Sequence, residues 1–210
     1  MSTDSFISKI KPEHIVSFGD AIFAFAITLM ALSIEIPDLP PNLTELELMT
    51  KLGEMYTGFE SYLISFAIIA VFWISYHQIF NFIIGSHMAI VYLNLLFLLF
   101  ITLLSISTSL IINYGSYQVP FIIYSIVVIL SSSLLAVIWW YATKDYKLID
   151  KNVNPLFIRG SMINLISIPV IFGISIFISF VDVDIAQYFW LIIVPINITI
   201  KRKYRRELVE

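Results

Sequence analysis

Apolar residues run along this chain in long unbroken stretches, and polar residues gather in the gaps between them. Six stretches stand out, at about 14–36, 57–80, 88–112, 119–143, 159–181 and 186–200. A helix needs about 20 residues to cross about 30 Å of hydrocarbon, and most of these runs reach that length. Barrel strands alternate and run for about ten residues, so continuous runs predict helices. The abundant Ile and Val do not argue otherwise, because in lipid each span must satisfy its own backbone groups. Pro12 suits a first helical turn. The pattern predicts an all-α integral membrane protein, with residues 1–210 forming one six-span domain that ends in a basic tail at 201–210. No convincing three-helix repeat is evident, which weighs against an inverted-repeat transporter.

Composition agrees. The chain is 59% apolar and 13% charged, against about 25% charge in a soluble domain, and its mean hydropathy is +0.91. With no cysteine, disulfides, thiolate metal sites and cysteine nucleophiles are excluded. The run from Ala21 to Ile34 has the length of a signal-peptide core, but Asp20 interrupts its start and no small-residue cleavage site precedes Glu35 and Pro37. A retained span is expected.

Charge sets the orientation. Lys9 and Lys11 precede the first span, Lys144, Lys147, Lys151 and Arg159 separate the fourth from the fifth, and Lys201, Arg202, Lys203, Arg205 and Arg206 follow the sixth. Eleven of twelve basic residues thus fall on one side, with Lys51 alone on the other. Both termini are expected in the cytoplasm. The opposite side is acidic, carrying Glu35, Asp38, Glu45, Glu47, Glu54, Glu60, Asp182 and Asp184. These charges either solubilise loops or form a vestibule that concentrates cations. Trp139, Trp140 and Tyr141 near one interface, and Tyr188, Phe189 and Trp190 near the other, fit aromatic belts.

Polar side chains at membrane depth are the candidate chemistry. An acid there costs about 2.5–3.5 kcal/mol on insertion scales and marks a functional or network position. Asp20 is such an acid; His77, near the end of the second span on the same side, is its expected partner. Thr28, Asn94, Thr102, Ser105, Ser107, Thr108, Asn164 and Ser167 are more simply read as packing or backbone-bonding groups. At about 100° per residue, Phe18, Ile22, Phe25, Leu29, Leu32 and Ile36 share one stripe of the first span, Thr28 and Ser33 flank it, and Asp20 lies roughly opposite. The stripe alone does not separate lipid contact, a subunit seam and a pore constriction. No metal-ligand cluster and no hydrolase or metalloprotease motif is present, so no metal, cofactor or enzymatic activity is expected, nor a nucleic-acid partner. Asn113-Tyr114-Gly115 lacks a potassium-filter context and reads as a turn.

Three phrases carry a family resemblance. His14-Ile-Val-Ser-Phe18-Gly19-Asp20 resembles the Arg-x-x-x-Phe-Ser-Asp signature of the bacterial branch of the lysosomal potassium channel family. Phe72-Trp73-Ile-Ser-Tyr76-His77-Gln-Ile-Phe80 is similar to that family's Phe-Trp-x-x-His-His-x-x-Phe stretch. The run from Leu93 and Asn94 onward resembles its third helix, with Ser105 where a proline is common.

The resemblance implies a prokaryotic, multi-pass cell-membrane protein that assembles as a homotetramer in the bilayer, its first helices around a central path for monovalent cations, potassium above all. It implies a constriction of apolar side chains at Phe25, Leu29 and Leu32, flanked by Ile22, Thr28, Ser33 and Ile36, and no carbonyl filter. It implies a polar network behind the path, on His14, Phe18, Gly19, Asp20, Trp73, His77 and Asn94. The departures are His14 for arginine, which gives up a permanent five-donor charge, Gly19 for serine, and a bulky Phe25. The alternative is a secondary or proton-coupled cation transporter using Asp20 and His77 as a relay.

Overall fold

The computed structural model describes residues 11–34, 42–85 and 87–206, and among these every regular element is helical, apart from one isolated antiparallel bridge between Ile83 and Ile149. Six segments are long and apolar enough to span a membrane, so this is a multi-pass membrane protein. The first, α1 (Pro12–Leu32), begins at a proline in its first turn and closes in a turn at Ser33 and Ile34. It starts before the expected residue 14 because proline is preorganised there and its missing N–H costs nothing. Glu35, Ile36 and Asp38 lie outside the described residues.

A helix that the hydrophobic pattern did not predict follows, α2 (Glu45–Glu54). It is nucleated locally by a capping box: the Thr44 hydroxyl accepts from the Glu47 N–H, and the Glu47 carboxylate accepts the Thr44 N–H at 2.8 Å and its hydroxyl at 2.7 Å. The Thr44 N–H, then its hydroxyl, hold the Glu47 carboxyl below the usual carboxylate range.

Then come α3 (Tyr56–Phe80), α4 (Met88–Tyr114) and α5 (Gln118–Thr143). Gly115 ends α4 where a Cβ would stand 2.5 Å from the Ile111 carbonyl oxygen, so the tight turn after Tyr114 demands glycine. The next, α6 (Pro155–Ile178), starts four residues before the expected 159, because Asn154 caps it and Pro155 opens it. The sixth apolar stretch is two helices, α7 (Val183–Phe189) and α8 (Ile193–Arg206), joined by a 3₁₀ turn at Trp190–Ile192. Pro195 has no N–H and its ring crowds the carbonyl four residues back, at Leu191, which breaks the helix there.

In the bundle α1 rests on α3 and α4, α4 packs on α5, α5 on α6, and α6 on α8. The Ile84 N–H donates to the Leu148 carbonyl at 2.9 Å, bringing the α3–α4 and α5–α6 connections to one end. The Gln187 amide donates to the Ser61 hydroxyl at 3.1 Å at the other. The aromatic belts need correcting. Trp139 and Trp190 are buried. Trp139 donates to the Ile158 carbonyl at 3.1 Å. Trp190 stacks on Phe121, Tyr124 and Phe172 with centroids 4.8, 4.8 and 5.0 Å away, and donates to the Ser175 hydroxyl at 3.0 Å. Helical phase turned these indoles inward, where each N–H needs a partner; Trp140 and Tyr188 remain at the surface.

Candidate functional site

The candidate site is built on α1, whose two sides differ. Ile15, Gly19, Phe23, Ala26 and Met30 are buried against the bundle. Two of these five are small, which lets helices approach closely where lipid offers no hydrophobic drive to pack. Phe18, Phe25, Leu29 and Leu32 are exposed at 50, 59, 39 and 74%. Ile22 is half-buried and packs on the core, so the structure sets it apart from the other described members of the stripe. The Thr28 hydroxyl donates to the Ala24 carbonyl at 2.8 Å and Ser33 to the Leu29 carbonyl at 3.3 Å.

Asp20 sits on the shoulder between these sides, half-buried and turned to α3. Its Oδ1 accepts from the Trp73 indole N–H at 2.8 Å and stands 2.6 Å from His77 Nε2, an Nε2–H tautomer donating to it. Trp73 and His77 lie one turn apart on α3, their rings 4.6 Å apart, so a single carboxylate reaches both. This ties α1 to α3 by charge-assisted bonds.

Not every residue of the expected network joins it. His14 is exposed, and no hydrogen bond among the described residues connects it to Asp20. Phe18 faces outward. Asn94 is buried on α4 beside the Tyr76 hydroxyl, its Oδ1 without a protein partner.

Two further contacts were not legible in the sequence. The Tyr76 hydroxyl donates to the Ile15 carbonyl at 3.2 Å, and a Cβ on Gly19 would stand 2.6 Å from that hydroxyl. Ser105, on α4, donates to the Ala26 carbonyl at 2.9 Å. Serines in helices usually bond their own backbone, as Ser107 does, so nothing in the sequence marked Ser105 as a cross-helix clasp.

At the end away from the Ile84–Leu148 contact lies a cavity of about 840 Å³, lined among others by Ile34, Lys51, Glu60, Asn113, Asp184 and Tyr188. Its two carboxylates, set close to the end of α1, supply part of the acidic character read from the loops. No cluster able to hold a metal ion occurs among the described residues.

Known proteins resemble this chain in sequence and in fold. The family model for the endosomal/lysosomal potassium channel TMEM175 matches residues 14–104, which carry α1, α3 and most of α4. A potassium channel of Streptomyces collinus (strain DSM 40733 / Tue 365) is 28% identical over 71% of this chain and 73% of its own length. A potassium channel of Chamaesiphon minutus (strain ATCC 27169 / PCC 6605) is 33% identical over 48% of this chain and 49% of its own. The crystal structure of a lysosomal potassium-selective channel TMEM175 homolog from Chamaesiphon minutus shares the fold with a TM-score of 0.76 at 22% identity, covering 92% of this chain and 97% of that one. A variant of the potassium channel MtTMEM175, in complex with a nanobody fusion, superposes with a TM-score of 0.61 at 19% identity over 91% and 93% of the two chains. The signature region of the chain thus resembles the endosomal/lysosomal potassium channel family TMEM175, and the chain shares the fold of solved homologs of that channel.

Proposed function

We propose that the protein is a potassium-permeable cation channel, a homotetramer whose four α1 helices surround a central path narrowed by Phe25, Leu29 and Leu32. The whole chain forms the conducting unit, with both termini in the cytoplasm, as the one-sided placement of Lys and Arg requires. The observation that carries this reading is the open side of α1. This spanning helix, in a chain that resembles a potassium channel family, keeps large apolar side chains uncovered by its own bundle, while its other side is sealed. Both curated relatives are named potassium channels, which supports the ion.

The chemistry is that of a dewetted constriction. Apolar side chains offer a hydrated cation nothing in exchange for its water, so a narrow ring of them closes the path until it widens. Thr28 and Ser33 complement it. Each gives its hydroxyl hydrogen to its own helix, which leaves only oxygen lone pairs to turn outward. Such an oxygen suits a monovalent cation and offers nothing to an anion. The carboxylates of Glu60 and Asp184 at the acidic end raise the local cation concentration. Conduction of this kind needs no cofactor and no bond-making step.

Potassium flux from liposomes tests the reading. Leu29→Ala and Leu32→Ser should each raise leak by about tenfold, the effect of removing about 1.4 kcal/mol from a barrier. No change in either would count heavily against a path lined by α1. Asp20 and His77 stand close enough for a proton relay, and a transporter built on them would show flux that needs a counter-ion gradient and collapses in Asp20→Asn. A channel passes potassium without that gradient.

A further inference from the structure

We propose that Gly19 and Tyr76 are a matched pair that seats α1, so that Tyr76 is a positioning residue for the ion path. The proposal rests on the channel reading above and extends it to a residue that touches no ion. The geometry is specific to these two side chains. A Cβ at position 19 would lie 2.6 Å from the Tyr76 hydroxyl oxygen and 2.9 Å from both Cε1 and Cζ. The closest of these is about 1 Å inside ordinary van der Waals contact. The tyrosine therefore fills the volume that any side chain at 19 would need.

The ring cannot step aside. Tyr76 is fully buried, stacked on Phe97 at 5.7 Å with 13° between planes, and packed by Phe80 at 4.4 Å and Phe23 at 5.7 Å. With the ring fixed in a close-packed interior, a side chain at 19 pushes α1 itself away from α3. That motion strains every tie on the same two helices: the Tyr76 bond to the Ile15 carbonyl and the contacts of Asp20 with Trp73 and His77. Phe18, next in the chain, and Phe25, Leu29 and Leu32 further along ride on that helix. Their radial position is thereby set from behind, by Tyr76.

The pair also joins two departures from the family signature that the sequence presents as unrelated. Gly19 stands where the signature has serine, and Tyr76 where the second phrase has its first histidine, 57 residues later. A shorter imidazole at 76 vacates the space in which a serine side chain would project, so each change makes room for the other. Losing the serine hydroxyl does not empty the site, because the tyrosine brings a hydroxyl of its own to α1.

A double-mutant cycle on the full-length protein in lipid vesicles and in detergent tests this. Gly19→Ser and Tyr76→His are each expected to lower the melting temperature by about 5 °C, the size of an overpacking or lost-packing defect in a chain of this length. Potassium flux per assembled channel should change by at least about threefold in each single variant. The double variant Gly19→Ser/Tyr76→His should return melting to within about 2 °C of the parent and flux to within about twofold, because contacting residues do not act additively. A Gly19→Ser variant that fails to assemble while the double variant assembles would support the same conclusion; Gly19→Ala supplies a smaller clash for the flux comparison.

Additive losses in the double variant would overturn the pairing. Coupled melting with unaltered flux per channel would overturn the positioning role and leave a packing contact only. If the parent protein passes no potassium in these vesicles, the channel reading fails and the positioning role with it, whereas the melting cycle still decides whether the two residues are matched.

Discussion

The side of α1 that carries Gly19, Phe23, Ala26 and Met30 is sealed against α3 and α4, whereas the side that carries Phe18, Phe25, Leu29 and Leu32 stays open. Hydropathy does not separate them, since both are apolar. What separates them is size and polar ties. The sealed side has Gly19 and Ala26, and four side chains from other helices bond to it or to its shoulder: Tyr76 to Ile15, Ser105 to Ala26, and Trp73 and His77 sharing Asp20 at the edge. The open side has bulk, and its hydroxyls bond only their own helix. In lipid, where apolar contact alone does not drive helices together, close approach and interhelical hydrogen bonds decide which side packs. The acid thus belongs to the scaffold, and the plain residues are left for whatever the helix meets outside its own bundle.

Removing the polar ties should loosen the sealed side while leaving every side chain of the open side in the sequence. Asp20→Ala is the severest case, because the Trp73 and His77 N–H groups lose their shared acceptor. Bonds to a charged group contribute about 1.5–3 kcal/mol, and the Asp20 side chain is 43% exposed, so the expected loss is discounted to about 2 kcal/mol. That corresponds to a fall of about 4–8 °C in melting in detergent. An unchanged melting temperature would mean that the tie contributes nothing. Ser105→Ala comes next. It deletes one buried hydroxyl donor and leaves the Ala26 carbonyl with its helical bond, so about 0.6–1 kcal/mol should be lost. A loss as large as that of Asp20→Ala would show that Ser105, not the acid, holds the helix.

Much of this contrast was legible in the sequence, and the reason is periodicity. Helical phase alone put Phe18, Phe25, Leu29 and Leu32 on one side of α1 and turned Asp20 away from them, and the shared depth of Asp20 and His77 suggested their contact. Phase carries no distances between helices. It could not tell that Ile22 tucks into the core, that His14 stays outside, or that Tyr76 presses on Gly19. Those facts depend on the approach of α1 to α3 and α4, which is set by side chains far apart in the chain. The α2 helix escaped for another reason. Its helical start is fixed by the Thr44–Glu47 capping box, a local polar signal that a search for apolar runs passes over. The indoles of Trp139 and Trp190 were misplaced because belt-forming and core-forming tryptophans share a composition and differ only in facing.

The open side yields the smallest stability effect and the sharpest test of what lies beyond it. Thr28→Val keeps the shape of the side chain and removes the hydroxyl that donates to the Ala24 carbonyl. That carbonyl keeps its own helical bond and the side chain is exposed, so melting should move by no more than about 0.5 kcal/mol. If Thr28 turns its free lone pairs toward a cation path, the same change replaces an oxygen by a methyl group where a partly dehydrated ion must pass. Potassium flux should then fall by about threefold or more while the channel remains fully assembled and as stable as the parent. If flux stays constant along with stability, position 28 faces lipid or a neighbouring subunit. The stripe on α1 would then be a seam instead of a pore lining, and the two sides of the helix would differ only in which protein surface each one meets.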